Sequence, residues 1–225
     1  MTKPATTALI GLDNPHSSGW LTTLQHSPAV GRLTVCADGA CEGVDQVYGD
    51  LDELLDAERL EFALVCTRND CAPQLAARLL EAGVPVIVEK PVGRTAAEIG
   101  PLNTLAAQKQ LIWATAFMNR CHPIAQKLRE LVANGVLGEI VSIEGRMVTS
   151  TVQQRNPEHW LFDQQVAGGG IAHWLAIHTI DLIRYITGLE YRSVSAHKAT
   201  LSGTGIDVED LLADEVEWRI RRDEA

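Results

Sequence analysis

Five short apolar runs alternate with helical stretches over the first 120 residues, and this alternation constrains the fold more than any other feature of the chain. The runs lie at residues 7–11, 33–38, 62–67, 86–88 and 111–117. Each is continuously apolar rather than alternating, as strands covered on both faces must be. Between them, residues 17–25, 51–60, 73–82 and 95–108 read as helices, the third closed by Gly83. Strands alternating with helices predict a doubly wound parallel sheet. After residue 120 the pattern changes. Residues 124–134 read as an amphipathic helix, and 139–148, 190–201 and 215–221 as strands. The first of these alternates through Ile140, Ser142 and Glu144, and the last sets Val216, Trp218 and Ile220 against charged neighbours. Period-two alternation marks a mostly antiparallel sheet with one wet face. The expected class is therefore α/β followed by α+β, in two domains, 1–120 and 121–225.

Composition narrows the partners. A net charge of −10 over 225 residues argues against nucleic acid or an anionic membrane, both of which select a basic face. The five cysteines, at 36, 41, 66, 71 and 121, include no C-x-x-C pair. Neither a zinc site nor a disulfide framework is expected, and a reducing, cytoplasmic setting fits. Cys36 and Cys66 fall in strand runs and read as small core residues. Residues 1–4 lead into a strand without the apolar stretch of a signal peptide. Residues 171–186 are the most apolar stretch, but His173, His178, Asp181 and Arg184 interrupt it, so a core helix is expected rather than a membrane span.

Glu89, Lys90 and Pro91 follow the apolar run at 86–88. The carboxyl end of a parallel strand is where open α/β sheets bind ligands. Pro91 holds Lys90 extended, and a cis bond there would make a tight turn aiming Lys90 into the crevice. A lysine so placed can hold or deliver a proton; the plainer alternative is a solvated Glu–Lys pair. The first strand–helix turn reads Gly11-Leu12-Asp13-Asn14-Pro15-His16. Only the first glycine of a G-x-G-x-x-G phosphate loop is present, and Asp13 puts a carboxylate where the second lets a pyrophosphate approach. Ser17 and Ser18 either cap the following helix, the favoured role, or bond phosphate. Asp38, closing the second run, stands where an acid binds ribose hydroxyls.

Gly168, Gly169 and Gly170 precede the helix at 171–186. Three successive glycines cost backbone entropy, and a close approach to a ligand would explain them. Trp174, His178 and Asp181 are spaced to share one face. His173 and His178 lie about 140° apart around a helix and make no metal pair. Asp181 reads as structural, a cap for a neighbouring segment.

Together, Glu89-Lys90-Pro91 after Leu80-Glu81-Ala82-Gly83, Asn119-Arg120 with Pro123, the three glycines, His178 and Asp181 resemble the Gfo/Idh/MocA oxidoreductases, in the right order over nearly the whole chain. The resemblance implies a Rossmann domain followed by an α+β domain. It implies hydride transfer between a nicotinamide and a hydroxyl carbon of a sugar, polyol or related small molecule. Lys90 and His178 would be catalytic, and Lys90, Trp174 and His178 would meet the substrate. Gly11, Asp38, Thr67, Asn69, Glu89, Lys90, Pro91 and Arg120 would hold the cofactor, NAD in preference to NADP. Homo-oligomers through the C-terminal sheet would be usual. The chain also departs from the pattern. Trp174 stands where the family usually has an aspartate, Thr67-Arg68-Asn69 replaces Thr-Pro-Asn, Ala72 replaces a histidine, and members usually run well past 300 residues, so a truncated second domain is expected. A dinucleotide- or sugar-sensing protein on the same fold, or an enzyme that recycles bound NAD for elimination or glycoside cleavage, are the alternatives.

Overall fold

The computed structural model describes residues 3–149 and 151–219, with side chains described as far as Leu211. The chain divides into two compact units, Met1–Ala116 and Phe117–Ala225.

In the first unit six strands form one parallel sheet: β1 (Ala5–Ile10), β2 (Val30–Cys36), β3 (Gln46–Tyr48), β4 (Phe62–Val65), β5 (Val86–Val88) and β6 (Trp113–Thr115). Their order, β3-β2-β1-β4-β5-β6, is that of a doubly wound dinucleotide-binding sheet. Four helices connect them: α1 (Ser17–His26), α2 (Leu51–Ala57), α3 (Ala72–Glu81) and α4 (Ala96–Lys109). The continuous apolar runs have their reason here. Successive residues of β1 and β4 point to opposite faces, each covered. Ala8, Ile10, Ala63 and Val65 pack with Leu79, Leu80 and Leu102 on one side. Leu9 and Leu64 pack with Leu24, Leu33 and Val35 on the other. Each fully buried aliphatic side chain contributes about 1.5–3 kcal/mol.

Start and stop signals act locally. The Asp50 side chain accepts from the Glu53 amide and caps α2. Thr95 does the same for α4 through the Glu98 amide, and Gln110 ends that helix in the left-handed region at φ 54°. The three-residue β3, between Gly43 and Gly49, is too short to stand out in the sequence.

The second unit contains α5 (Pro123–Ala133), α6 (Gln164–Ala167), α7 (Ile177–Thr187) and one antiparallel pair, β7 (Glu190–Ala199) with β8 (Leu211–Arg219). Glu190 pairs with Arg219 and Ala199 with Leu211 at the two ends of the ladder. Of the last expected strand, Val216 and Trp218 are described through their backbone alone, and Ile220 and Arg221 lie outside the described residues.

Two expectations fail here. Residues 139–148 form no strand; Val141 is 92% and Val148 85% exposed. Alternation makes a strand only where a neighbour takes its amides and carbonyls, and among the described residues none does. The apolar stretch at 171–186 is not a buried core helix either. It opens as a π-helical segment, Ala172–Ala176, continues as α7, and buries only Asp181. By length and composition alone, the described stretch Gln164–Thr187 is long and apolar enough to cross a membrane. Within its unit α7 packs along α5.

Candidate functional site

In the first unit the predicted residues gather at the carboxyl end of the parallel sheet. Ladder bonds continue past the strands: Gly11 N donates to Cys36 O at 2.9 Å, Cys66 N to Ile10 O at 2.8 Å, and Glu89 N to Val65 O at 2.8 Å. These bonds bring the turns after β1, β4 and β5 side by side. Lys90 stands two residues past the end of β5, is 2% exposed, and precedes a cis peptide bond to Pro91. Asn69 is buried and Thr67 nearly so.

The turn after β1 is built from close contacts. Gly11 has φ +89°, and a Cβ there would lie 2.6 Å from Thr67 Cβ and 2.9 Å from Cys66 O. Glycine is needed both for the dihedral and for the approach of β1 to the end of β4. Asn14 Nδ2 donates to Thr67 O at 3.2 Å, while its Oδ1 accepts from the His16 amide at 2.9 Å. The Thr67 hydroxyl donates to Asp13 Oδ1 at 2.6 Å, so the carboxylate that replaces the second glycine is partly engaged by β4. The expected serine cap is absent: no side chain caps α1. Ser17 Oγ instead donates to Cys66 O at 3.1 Å. Burial pushes the Cys66 thiol up to about 12, which keeps it a neutral packing group.

Glu89 proves to be occupied by the protein itself. Its carboxylate is 4% exposed, meets His16 Nδ1 at 3.0 Å through Oε1, and accepts from Trp20 Nε1 at 2.6 Å through Oε2. Glu89, expected at the cofactor, clamps the turn after β5 to α1. Sequence reasoning missed both partners, since no motif links His16 or Trp20 to a residue some seventy positions on.

These residues fit a dinucleotide at both ends of the sheet edge. Gly11 brings the first turn against β4, α1 begins uncapped, and Asp38 is exposed just beyond β2 with no hydrogen bond from the described residues. At the other end Lys90 and Pro91 close β5. Asp13, exposed in the first turn, is the one departure.

In the second unit the three glycines stand against the protein's own groups. Gly168 ends α6 at φ 82°. A Cβ on Gly169 would come 2.4 Å from His173 Nδ1, and one on Gly170 would come 1.8 Å from Glu209 O. Glu209 O also accepts from Ile171 N at 2.9 Å, and its Oε1 from Ala172 N at 3.2 Å. The close approach read from the sequence is real, but it is the turn before β8 that comes near. Asp181, expected to cap a segment, instead takes the Arg120 guanidinium, with Nε donating to Oδ2 at 2.8 Å and Nη2 to Oδ1. Arg120 also lies 5.4 Å from the Phe117 ring centre and 5.5 Å from that of Tyr185. The His178 ring meets Phe117 edge-on at 6.3 Å. The Trp174 ring lies 5.3 Å from that of Trp160, a neighbour the sequence did not single out. Trp174 belongs to the π segment, a feature that recurs at functional sites. An open cavity of about 470 Å³, lined by Pro157, His159, Phe162, Asp163, Ile206 and Asp207 among others, includes none of the predicted residues. Among the described residues no three His, Cys, Asp or Glu side chains come together as metal ligands.

Comparison with known proteins agrees with this arrangement. Residues 26–117 match the oxidoreductase family with an NAD-binding Rossmann fold, and residues 125–214 match the GFO/IDH/MocA C-terminal domain. The levoglucosan dehydrogenase of Pseudarthrobacter phenanthrenivorans is 27% identical over 159 residues, which cover 70% of this chain and 40% of that protein. The D-glucoside 3-dehydrogenase of Escherichia coli is 30% identical over 165 residues, 72% of this chain and 46% of that one. The chain thus spans under half the length of these two relatives. The crystal structure of a myo-inositol 2-dehydrogenase from Lactobacillus plantarum superposes with a TM-score of 0.84 at 21% identity, covering 96% of this chain and 67% of the other.

Proposed function

The chain belongs to the GFO/IDH/MocA oxidoreductase family, and from that premise we propose that it serves an NAD-dependent dehydrogenase of a sugar, polyol or related hydroxy compound. The observation that carries this reading is Lys90, 2% exposed, at the carboxyl end of β5 in a sheet of dinucleotide-binding order. Relatives named as levoglucosan, D-glucoside and myo-inositol dehydrogenases support the substrate class.

Gly11, Thr67, Asn69 and Asp38 would hold the dinucleotide, with Lys90 and Pro91 at its nicotinamide end. When bound, the nicotinamide supplies a hydride acceptor or donor. Lys90, fixed by the strand before it and the proline after it, takes the hydroxyl proton in oxidation and returns it in reduction. His178 shares that proton on the substrate side, and Trp174 offers a ring face rather than an acceptor to the sugar. Asp38 repels a 2′-phosphate, and Gly39-Ala40-Cys41 offers no cation to receive one, so NAD(H) is preferred. A cytoplasmic enzyme with five free cysteines, self-associating through its C-terminal sheet, completes the reading.

The test begins with fluorescence titration of NADH and NADPH. Tighter NADPH binding would overturn the cofactor choice. A panel of inositols, aldoses and sugar acids with NAD then identifies a substrate. Lys90→Met should keep NADH binding and lose roughly 10²–10⁴-fold in turnover, the span for one proton-transfer group; His178→Ala should lose less, because Trp174 cannot share its work. Full activity in Lys90→Met would remove the basis of the reading. NADH binding without turnover of any substrate would favour a sensor on the same fold.

A further inference from the structure

Glu89 orients one nitrogen of His16 and leaves the other for a ligand. His16 stands at the N-cap of α1, where the glycines of a phosphate loop would normally give way to the helix. Its amide is tied to Asn14 Oδ1, its ring is 43% exposed, and its Nδ1 meets the buried Glu89 carboxylate at 3.0 Å. Glu89 is held from a second direction by Trp20. A carboxylate accepts, so Nδ1 carries a proton and the ring orientation follows. In the neutral ring Nε2 is then a lone-pair acceptor; in the cation it is a donor.

We infer that His16 supplies the phosphate recognition that the missing glycines do not: as a cation clamped by Glu89, it donates through Nε2 to the diphosphate of the dinucleotide. The inference rests on the reading of this edge as a dinucleotide site. It also accounts for Asp13, whose negative charge in the same turn is offset by the His16 cation. Glu89 faces the ring, and further charged groups stand in the adjoining turns. Asp13 lies after β1, Glu89 and Lys90 after β5, and Arg68 and Asp70, paired with each other at 2.8 Å, after β4.

Calorimetric titration of NADH, ADP-ribose and adenosine tests this. His16→Gln should bind NADH and ADP-ribose about 10- to 100-fold more weakly than the wild type, the worth of one charge-assisted hydrogen bond. Adenosine, which lacks the diphosphate, should bind wild type and variant alike. Trp20→Phe removes the other bond to Glu89, leaves the His16 ring in place and should bind NADH nearly as the wild type does. Unchanged NADH affinity in His16→Gln, or an equal loss in Trp20→Phe or for adenosine, overturns the inference while leaving the dinucleotide site standing. Failure of the folded wild type to bind any dinucleotide overturns both.

Discussion

At the scale of single residues, a charge held by several partners serves the fold. Glu58 is nearly buried and takes Arg32 Nη2 at 2.6 Å, Arg32 Nε at 3.0 Å and the Tyr48 hydroxyl at 2.8 Å, tying β2, β3 and the end of α2 together. The Arg32 hydrogen bonds hold the Glu58 carboxyl below the usual carboxylate range. A depressed carboxylate stabilises the fold above its unfolded value, near 4.3, and that contribution is lost as pH falls through the folded value. Arg32 is 44% exposed, so solvent screens part of the attraction. Glu58→Gln should therefore cost about 1–3 kcal/mol at neutral pH, chiefly from poorly paired groups left behind. The gap between thermal melts of wild type and variant should narrow as pH falls from neutrality through the carboxylate range. A gap that stays constant across that range would separate the network from the acid sensitivity.

At the scale of elements, the five strands of the first unit that the sequence showed were legible because covered strands leave unbroken apolar runs, and their turns follow from chain order. Lys90 was legible for the same reason: it abuts a strand and a proline. What was hidden depends on partners distant in sequence. The clamp on Glu89 joins residues 16, 20 and 89, and Gly170 is explained only by the backbone of Glu209. Residues 139–148 carry a strand pattern without a described neighbour, and the π segment shifts the helical register that the spacing of Trp174 and His178 assumes. One helix end invites a direct measurement. Gln110 closes α4 in the left-handed region, a conformation costing an L-residue roughly 1–2 kcal/mol and glycine almost nothing. Part of that gain is returned through the greater freedom of glycine in the unfolded chain. Gln110→Gly should stabilise the first unit by about 0.5–1 kcal/mol, read as a higher denaturation midpoint with unchanged slope. Destabilisation would mean that the Gln110 side chain contributes more than its backbone costs.

At the scale of the whole molecule, the two units differ in what holds them. Both principal apolar clusters belong to the first unit, with Leu9, Leu54, Leu64, Leu79 and Val65 at 0 or 1% exposure. Among the described residues of the second, the buried apolar side chains are Ala125, Leu161, Phe162, Ala167 and Val208. Its sheet is a single antiparallel pair, with Val194 on β7 62% exposed. An isolated two-stranded ribbon is marginal in water. The chain should therefore unfold in two steps, the second unit first. The tryptophans report this, since Trp160, Trp174 and Trp218 lie in the second unit and Trp20 and Trp113 in the first. In urea, tryptophan fluorescence should pass its main transition at a lower midpoint than far-ultraviolet circular dichroism, which follows the helices of both units. If the exposed faces of the second unit pair between chains, mass action raises the fluorescence midpoint with protein concentration and leaves the later transition unmoved. Coincident transitions at every concentration would mean that the two units unfold as one cooperative body, and that the sparse core of the second is stabilised by the first.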